Sequence, residues 1–390
     1  MSSSIYLSNA KRAAMGLFFL VGMMYASWGV HVPTLKEKFH LNEAWLSVAL
    51  FAVAGGSIAV LSRIGPWVRR VGNRTACTIG GLLMCGCTGL ILFIPWFGLL
   101  LPLLALFGVG VALIDVAMNV EATAVEAALG RPILASLHGM YSVGGIAGAS
   151  LGGFLLSLDV RPAVHLAVSG IAGMAFVLIM RPFLLPAPAR TSVPDGHSKP
   201  ETMHHQASRG VWALGITALI ALIAEGAMYD WLTVYMREIL AASQSLTSAV
   251  YAVFAMGMAI GRFSGDYIRA RTGETVLLTI SGVLASVAVV AGLLLHHAGA
   301  ALVCFTVAGL GFANMMPILT FAAARLEGIH AAQGIARVAG MAYVGLLIGP
   351  VLIGATAQAT TLPIGLSLVA VCAALVAVAS PCVLGKKSVH

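Results

Sequence analysis

The sequence predicts an all-α integral membrane protein with twelve transmembrane helices in two six-helix halves, and three observations carry that reading. Charged residues are 9% of the 390 and hydrophobic ones 59%, where an ordinary soluble chain has about 25% charged and about 45–50% apolar even with glycine included. Apolar stretches of roughly the 20 residues that cross a bilayer recur twelve times along the chain. Landmarks of the first half return in the second at one constant spacing. So few charges do not cover so large an apolar core, which excludes a soluble enzyme, a disordered chain and a nucleic-acid-binding protein. The formal charge of +8 is therefore read as membrane topology.

By residue number the stretches are 13–33, 44–62, 76–95, 97–122, 134–157 and 162–182, then 211–235, 246–264, 275–296, 299–323, 334–356 and 361–384. The first is too long for the apolar core of a cleaved leader and lacks a small-residue exit, so it is expected to be the first membrane helix. The second and eighth run into short loops that mix glycine with arginine. The fourth and seventh carry acids, and the fifth and eleventh are rich in glycine. Between the sixth and seventh lies the long polar segment Phe183 to Gly210, with Pro186, Pro188, Pro194, Pro200 and the run Met203-His204-His205-Gln206. Its composition is that of a linker, dividing the chain into 1–182, 183–210 and 211–390. Cys77, Cys85, Cys87, Cys304, Cys372 and Cys382 all lie in apolar stretches without metal-site spacing, so buried free thiols and no metal are expected.

Charge fixes the orientation. With both termini on one side, the opposite side receives only Lys36, Lys38, Arg161 and Arg237, leaving 18 of the 22 basic residues with the termini and the linker. The positive-inside rule makes that side cytoplasmic, and any other helix count scrambles the bias.

Repetition supports the same layout. Gly65-Pro-Trp-Val-Arg-Arg70-Val-Gly72-Asn-Arg74 follows the second stretch and Gly265-Asp266-Tyr-Ile-Arg269-Ala-Arg271-Thr-Gly273 follows the eighth, with Gly72 and Gly273 201 residues apart. Gly144, Gly148 and Gly153 precede Gly345, Gly349 and Gly354 by the same 201. Parallel repeats of this kind are related by an axis along the membrane normal, with the expected pathway between them. Gly144, Gly148 and Gly152 form a small-residue face for close helix packing, and Pro350 is expected to bend its helix.

These features resemble the major facilitator superfamily over essentially the whole chain. Its loop signature, G-x-x-x-D-R-x-G-R-[RK], fits Gly65, Arg70, Gly72 and Arg74, but Arg69 stands at the acidic position and Asn73 at the first basic one. In the second half, Arg262, Asp266 and Arg271 keep an acid among bases, and the resemblance implies a cytoplasmic gate in which Asp266 is salt-bridged at inner helix ends. The superfamily's antiporter signature in helix 5 is matched except that Ala149 replaces its proline. Further strings resemble the bacterial YbjJ-type branch, related to fucose-permease-like sugar transporters. They are Asp115-x-x-Met118-Asn119-x-Glu121-Ala122, Arg131-Pro132 with His138-Gly139-x-Tyr141-Ser142-x-Gly144-Gly145, Glu225-Gly226-Ala227-Met228-x-Asp230-Trp231, and Gly345-x-x-x-Gly349-Pro350-x-x-x-Gly354. The resemblance implies a monomeric secondary transporter of small polar solutes in the bacterial inner membrane, without a cofactor and driven by the proton gradient.

Intramembrane acids are the sharpest chemical clue, each costing roughly 2.5–3.5 kcal/mol at mid-helix. Asp115, Glu225 and Asp230 qualify as proton-coupling candidates, because desolvation favours the neutral form and a carboxyl that can be neutral or charged is what proton coupling needs. By hydropathy no Lys or Arg lies deep, so no cationic partner is expected, and neutral or cationic solutes are favoured over anions. Asp115 and Asn119 share a helical face with Ala122. Glu121 falls elsewhere on the wheel and is expected to be solvated or to touch another helix. Glu225 and Tyr229 share a face, whereas Asp230 is about 140° away on a regular helix, so Gly226 is a candidate hinge. Tyr25, Trp28, Tyr229 and Trp231 suit either a sugar or amine site or an interfacial belt. His31 reads as a headgroup-level or capping residue, His138 and Tyr141 as inner-gate or substrate groups, and Asn314 with Pro317 as either cavity lining or packing.

Two transport readings remain open at this stage: proton-coupled symport of a small neutral, sugar-like solute, and proton antiport exporting an amphipathic or cationic compound. No H-E-x-x-H or other catalytic constellation favours a membrane enzyme.

Overall fold

A computed structural model describes residues 3–41, 43–185 and 205–385. The linker prolines and His204, like Lys386 and Lys387, lie outside the described residues. Helices form α1 (Ser3–Val30), α2 (Val32–Lys38), α3 (Glu43–Val71), α4 (Asn73–Leu90), α5 (Phe97–Leu129), α6 (Leu134–Ser157) and α7 (Pro162–Met180). They continue as α8 (His205–Val234), α9 (Gln244–Thr272), α10 (Glu274–Leu294), α11 (Ala298–Phe312), α12 (Met315–Ala324), α13 (Ala331–Ala359) and α14 (Leu362–Leu384). No strand occurs among the described residues. In a hydrocarbon solvent every backbone N–H and C=O must be satisfied within its own segment, which is why these apolar runs are helical.

All twelve expected positions are helical, and eleven of them, among the described residues, are long and apolar enough to cross a membrane. The remaining position is α9. Two boundaries differ from expectation for physical reasons. The loops after the second and eighth stretches are helical through Val71 and Thr272, because charge onset ends an apolar run but not a helix. The tenth stretch is instead two helices, α11 and α12, separated by Ala313 and Asn314. Pro317 falls in the first turn of α12, where its missing N–H breaks no intrahelical bond. α8 runs unbroken through Gly226, so the expected hinge is absent there, and the irregular backbone is a π-helical turn at Tyr235–Ile239. A side chain at Gly226 would meet Leu346 at 2.7 Å, so this glycine serves packing.

The chain forms two compact units. One comprises 1–130, 140–203 and 330–336, and the other 131–139, 204–329 and 337–390. In the first, α5 packs on α3 and α4, and α4 on α7. In the second, α10 packs on α11 and α14, α9 on α11, and α8 on α14. The second core centres on Tyr235, Phe254, Phe305 and Phe312, with Tyr235 edge-on to Phe305 and Phe254 tilted on Phe312.

The repeated glycines have the same task in each unit. A Cβ at Gly144 or Gly148 would lie 2.0 or 2.3 Å from the carbonyl oxygens of Phe19 and Met23 on α1. At Gly345 or Gly349 it would lie 2.2 or 2.8 Å from those of Leu219 and Ile223 on α8. Only a residue without a Cβ lets the backbones approach so closely. Of the cysteines, Cys77, Cys85 and Cys87 are buried as expected, while Cys382 is exposed on α14.

Gly72 and Gly273 share a second requirement. Each precedes a helix with φ of 82°, and ψ of 152° and 168° respectively, a region essentially reserved for glycine and costing other residues of order 1–3 kcal/mol. Replacing Gly273 by alanine is expected to destabilise the purified protein by that amount, seen as a lower Tm in detergent. An unchanged Tm would mean that the turn relaxes at no cost.

Candidate functional site

In the second unit, α8 and α9 build a buried polar centre. Glu225 and Tyr229 lie one turn apart on α8, and α9 brings Arg262 within 3.4 Å of the Glu225 carboxylate, the two side chains being 15% and 11% exposed. This corrects the expectation that no base reaches the intramembrane acids. Because α9 continues to Thr272, Arg262 sits ten residues, about 15 Å, before its end. The preference against anionic solutes, which rested on there being no deep base, loses that support. Removing one partner of such a pair leaves an uncompensated buried charge, which typically costs 3–5 kcal/mol.

Aromatic rings surround this pair. Tyr229 lies against Tyr251, with ring centroids 5.2 Å apart, and edge-on to Phe254 at 4.9 Å. Asp230 is exposed and within electrostatic reach of Tyr251, while His138 on α6 lies within reach of Arg262. Trp231 packs its ring 3.1 Å from where a Cβ of Gly354 would stand, and its buried indole N–H has no hydrogen-bond partner. Asn314 is 3% exposed and donates to the Gly261 carbonyl at 3.0 Å, so its amide braces the α11–α12 break against α9.

The first unit holds the other candidates. Asn119 donates to the Asp115 carbonyl at 2.9 Å and its carboxylate at 3.2 Å, so the amide and the acid act together on one face of α5. Tyr25 stacks on Phe107 with centroids 6.4 Å apart, and Trp28, 3% exposed, tilts on the same ring at 6.2 Å. Tyr141 is half-buried on α6. Glu121 is fully buried and accepts from the Leu185 N–H at 2.6 Å and from the Asn73 amide, which makes it an interhelical contact. Arg74 beside it holds the Leu184 carbonyl through Nε at 3.1 Å. His31, which the sequence reads as headgroup-level or capping, makes no side-chain cap for α2 and instead bonds to His165.

The regions expected to form the gate hold two different helix caps. Asp266, 8% exposed, accepts from the backbone N–H of Ala135 at 3.0 Å and Ser136 at 2.7 Å, and from the Ser136 hydroxyl at 2.5 Å. An anion there satisfies donors that the first turn of α6 leaves open. Asp266 thus caps the start of α6, a contact that the salt bridge implied by the resemblance does not include. In the first unit, where Arg69 replaces the acid, Gly65 lies against Gln333 at the start of α13 and the His330 imidazole accepts from the Ala332 N–H at 3.3 Å. Partial burial and the Arg69 guanidinium push the His330 imidazole down, which keeps its accepting nitrogen unprotonated. Arg271 lies over the Tyr267 ring at 3.9 Å, and Arg70 is exposed.

Comparison with known proteins places this geometry. The chain matches the Major Facilitator Superfamily over residues 3–131 and 126–327. It is 30% identical over 353 residues to an uncharacterized MFS-type transporter of Yersinia pestis, covering 90% of each chain. It is 29% identical over 365 residues to the membrane protein MosC of Rhizobium meliloti, covering 93% of this chain and 87% of that one. Among solved structures it resembles the E. coli fucose:proton symporter, with a TM-score of 0.79 at 16% identity over 95% of this chain and 97% of that one. A proton:xylose symporter matches with a TM-score of 0.75 at 13% identity over 96% and 95%. At these identities the solved structures establish the fold alone.

The cap at Asp266 is open to direct test. Asp266→Ala should lower stability by about 0.5–2 kcal/mol, the usual worth of a helix N-cap, and speed amide exchange at Ala135 and Ser136. Asp266→Asn, which keeps an acceptor, should lose less. Equal losses would show that the charge matters and the hydrogen bonds do not.

Proposed function

We propose a proton-coupled symporter of a small neutral, sugar-like solute: the chain belongs to the Major Facilitator Superfamily, a family of multi-pass membrane transporters and not of enzymes, and its buried polar centre suits that coupling. The observation that carries the reading is the Glu225–Arg262 pair. A proton arriving at Glu225 neutralises the carboxylate and competes with Arg262 for it. Arg262 is then released to donate to solute hydroxyls, while Tyr229, Tyr251 and Trp231 supply the flat apolar faces and phenol or indole groups that a pyranose ring uses. When the solute leaves, Arg262 recaptures the carboxylate and expels the proton. Proton and solute are thus exchanged for one ion pair at one place, and no cofactor is needed.

The solved sugar symporters sharing the fold support this class of solute. On this reading Asp230 forms part of the proton path, and Asp115, Asn119, Tyr25 and Trp28 are polar and aromatic groups of the first unit with the chemistry for solute contact. The protein works by alternating access in the bacterial inner membrane, with both termini cytoplasmic. One charge crossing about 100 mV is worth about 2.3 kcal/mol, or roughly fifty-fold accumulation of solute at 1.36 kcal/mol per decade.

The test is proton flux into proteoliposomes loaded with an internal pH dye, challenged with pools of neutral sugars. Solute added outside should acidify the lumen. Glu225→Gln should abolish that acidification, while solute exchange across the membrane without net proton movement persists. Alkalinisation would make the protein an antiporter, and silence from every sugar pool would remove the proposed substrate class.

A further inference from the structure

His31 and His165 lie 134 residues apart in sequence and meet through a ring-to-ring hydrogen bond of 2.7 Å between Nε2 and Nδ1. They are 1% and 3% exposed, with rings edge-on and centroids 5.0 Å apart. His31 forms the corner between α1 and α2, its N–H donating to the Trp28 carbonyl and its carbonyl accepting from Leu35, both at 3.0 Å. His165 sits in the first turn of α7. The bond therefore clamps the α1–α2 corner onto α7.

The proton inventory of the pair is short. Between two neutral imidazoles one N–H donates and one lone pair accepts, in either of two tautomeric arrangements. The outer atoms, His31 Nδ1 and His165 Nε2, are buried without hydrogen-bond partners, as is Ser27 Oγ one turn earlier on α1. Among the described residues no counter-charge is built in. α1 after Arg12, α4 after Arg74, α5 before Asp115 and α6 after His138 carry no charged side chain. Lys36, Glu37 and Lys38 lie on α2, and Asp159 and Arg161 just before α7, but the charge acting on His31 is that of His165.

We propose that the His31–His165 pair is a proton-operated latch, closed while both rings are neutral and opened when they take up protons. The first proton places an uncompensated cation in an apolar site, which favours exposing the ring to water. The second converts both facing nitrogens to donors, so no acceptor remains for the bond. Beyond the end of the Tyr6–Val30 span, burial and the neighbouring ring push the His31 imidazole down to about 4. The closed latch thus binds fewer protons than the open one, whose imidazoles titrate near the ordinary 6.5, and acid favours opening. Between pH 7.5 and 5.5 the shift amounts to about tenfold for each imidazole that becomes exposed. Expected topology places this corner on the outer side, where it answers to external pH, whether or not Glu225 is the coupling group.

Hydrogen–deuterium exchange of the full-length protein in lipid nanodiscs tests this at peptides covering 25–41 and 158–170. After correction for intrinsic exchange, protection there should fall by about tenfold or more from pH 7.5 to 5.5. The double variant His31→Gln, His165→Gln, whose amides can bond without titrating, should lose that pH dependence, whereas Glu225→Gln should retain it. Unchanged protection in the natural sequence, or the same fall in the double variant, would overturn the latch. If the double variant does not fold, nitrogen NMR of histidine-labelled natural protein decides: both imidazoles neutral at pH 5.5 in the protected state support the latch, and titration of both near 6.5 without loss of protection refutes it.

Discussion

The cost of an uncompensated charge in an apolar helix shapes this molecule. Water does not solvate a carboxylate in the middle of a spanning segment, so an acid there must be neutralised, paired or hydrogen-bonded. The acids take different routes. Glu225 is paired with Arg262, and Glu121 is held by an amide and a backbone N–H. Asp115 shares its hydrogen bonding with Asn119, and Asp266 ends a helix. Each route restricts what the group can do next. A helix cap is a fixed electrostatic contact, whereas an ion pair with one strong partner is a switch, because a proton or a ligand can replace that partner.

Repetition makes the departures informative. The glycine faces of α6 and α13 and the turn glycines at 72 and 273 keep the same geometry in both units, since backbone approach and positive φ leave no alternative to glycine. The caps are free to diverge. One unit uses the carboxylate of Asp266, and the other uses the ring of His330 beside Arg69. An imidazole accepts only while unprotonated, so the two caps differ in chemistry although the repeats that carry them are alike.

Hydropathy made the helices legible, and a shared spacing made the repeat legible. The same hydropathy hid the central ion pair. An apolar run ends where charge begins, so Arg262 read as a loop residue, while the helix that carries it continues ten residues further. Side-chain periodicity placed Glu225 and Tyr229 on one face but says nothing about which residue of another helix faces them. The α11–α12 break was signalled by Pro317 yet falls at Ala313 and Asn314, because proline is accommodated just inside a helix start. His31 and His165 carried no mutual signal at all, since neither lies in a repeated string and 134 residues separate them.

Glu225 and the histidine pair meet the same difficulty from opposite directions. A carboxylate beside an arginine carries its counter-charge with it, and a proton that neutralises the carboxylate abolishes the pair. A pair of imidazoles is neutral at rest, and a proton creates charge where none is balanced. On the proposed function the first arrangement suits a cycle, because a neutral acid is tolerated in an apolar site while a solute takes its place at Arg262. The second suits a trigger, because the protonated state does not persist in the closed arrangement. On these two proposals one apolar environment yields two kinds of proton response, and the difference is set by whether a counter-charge is built in.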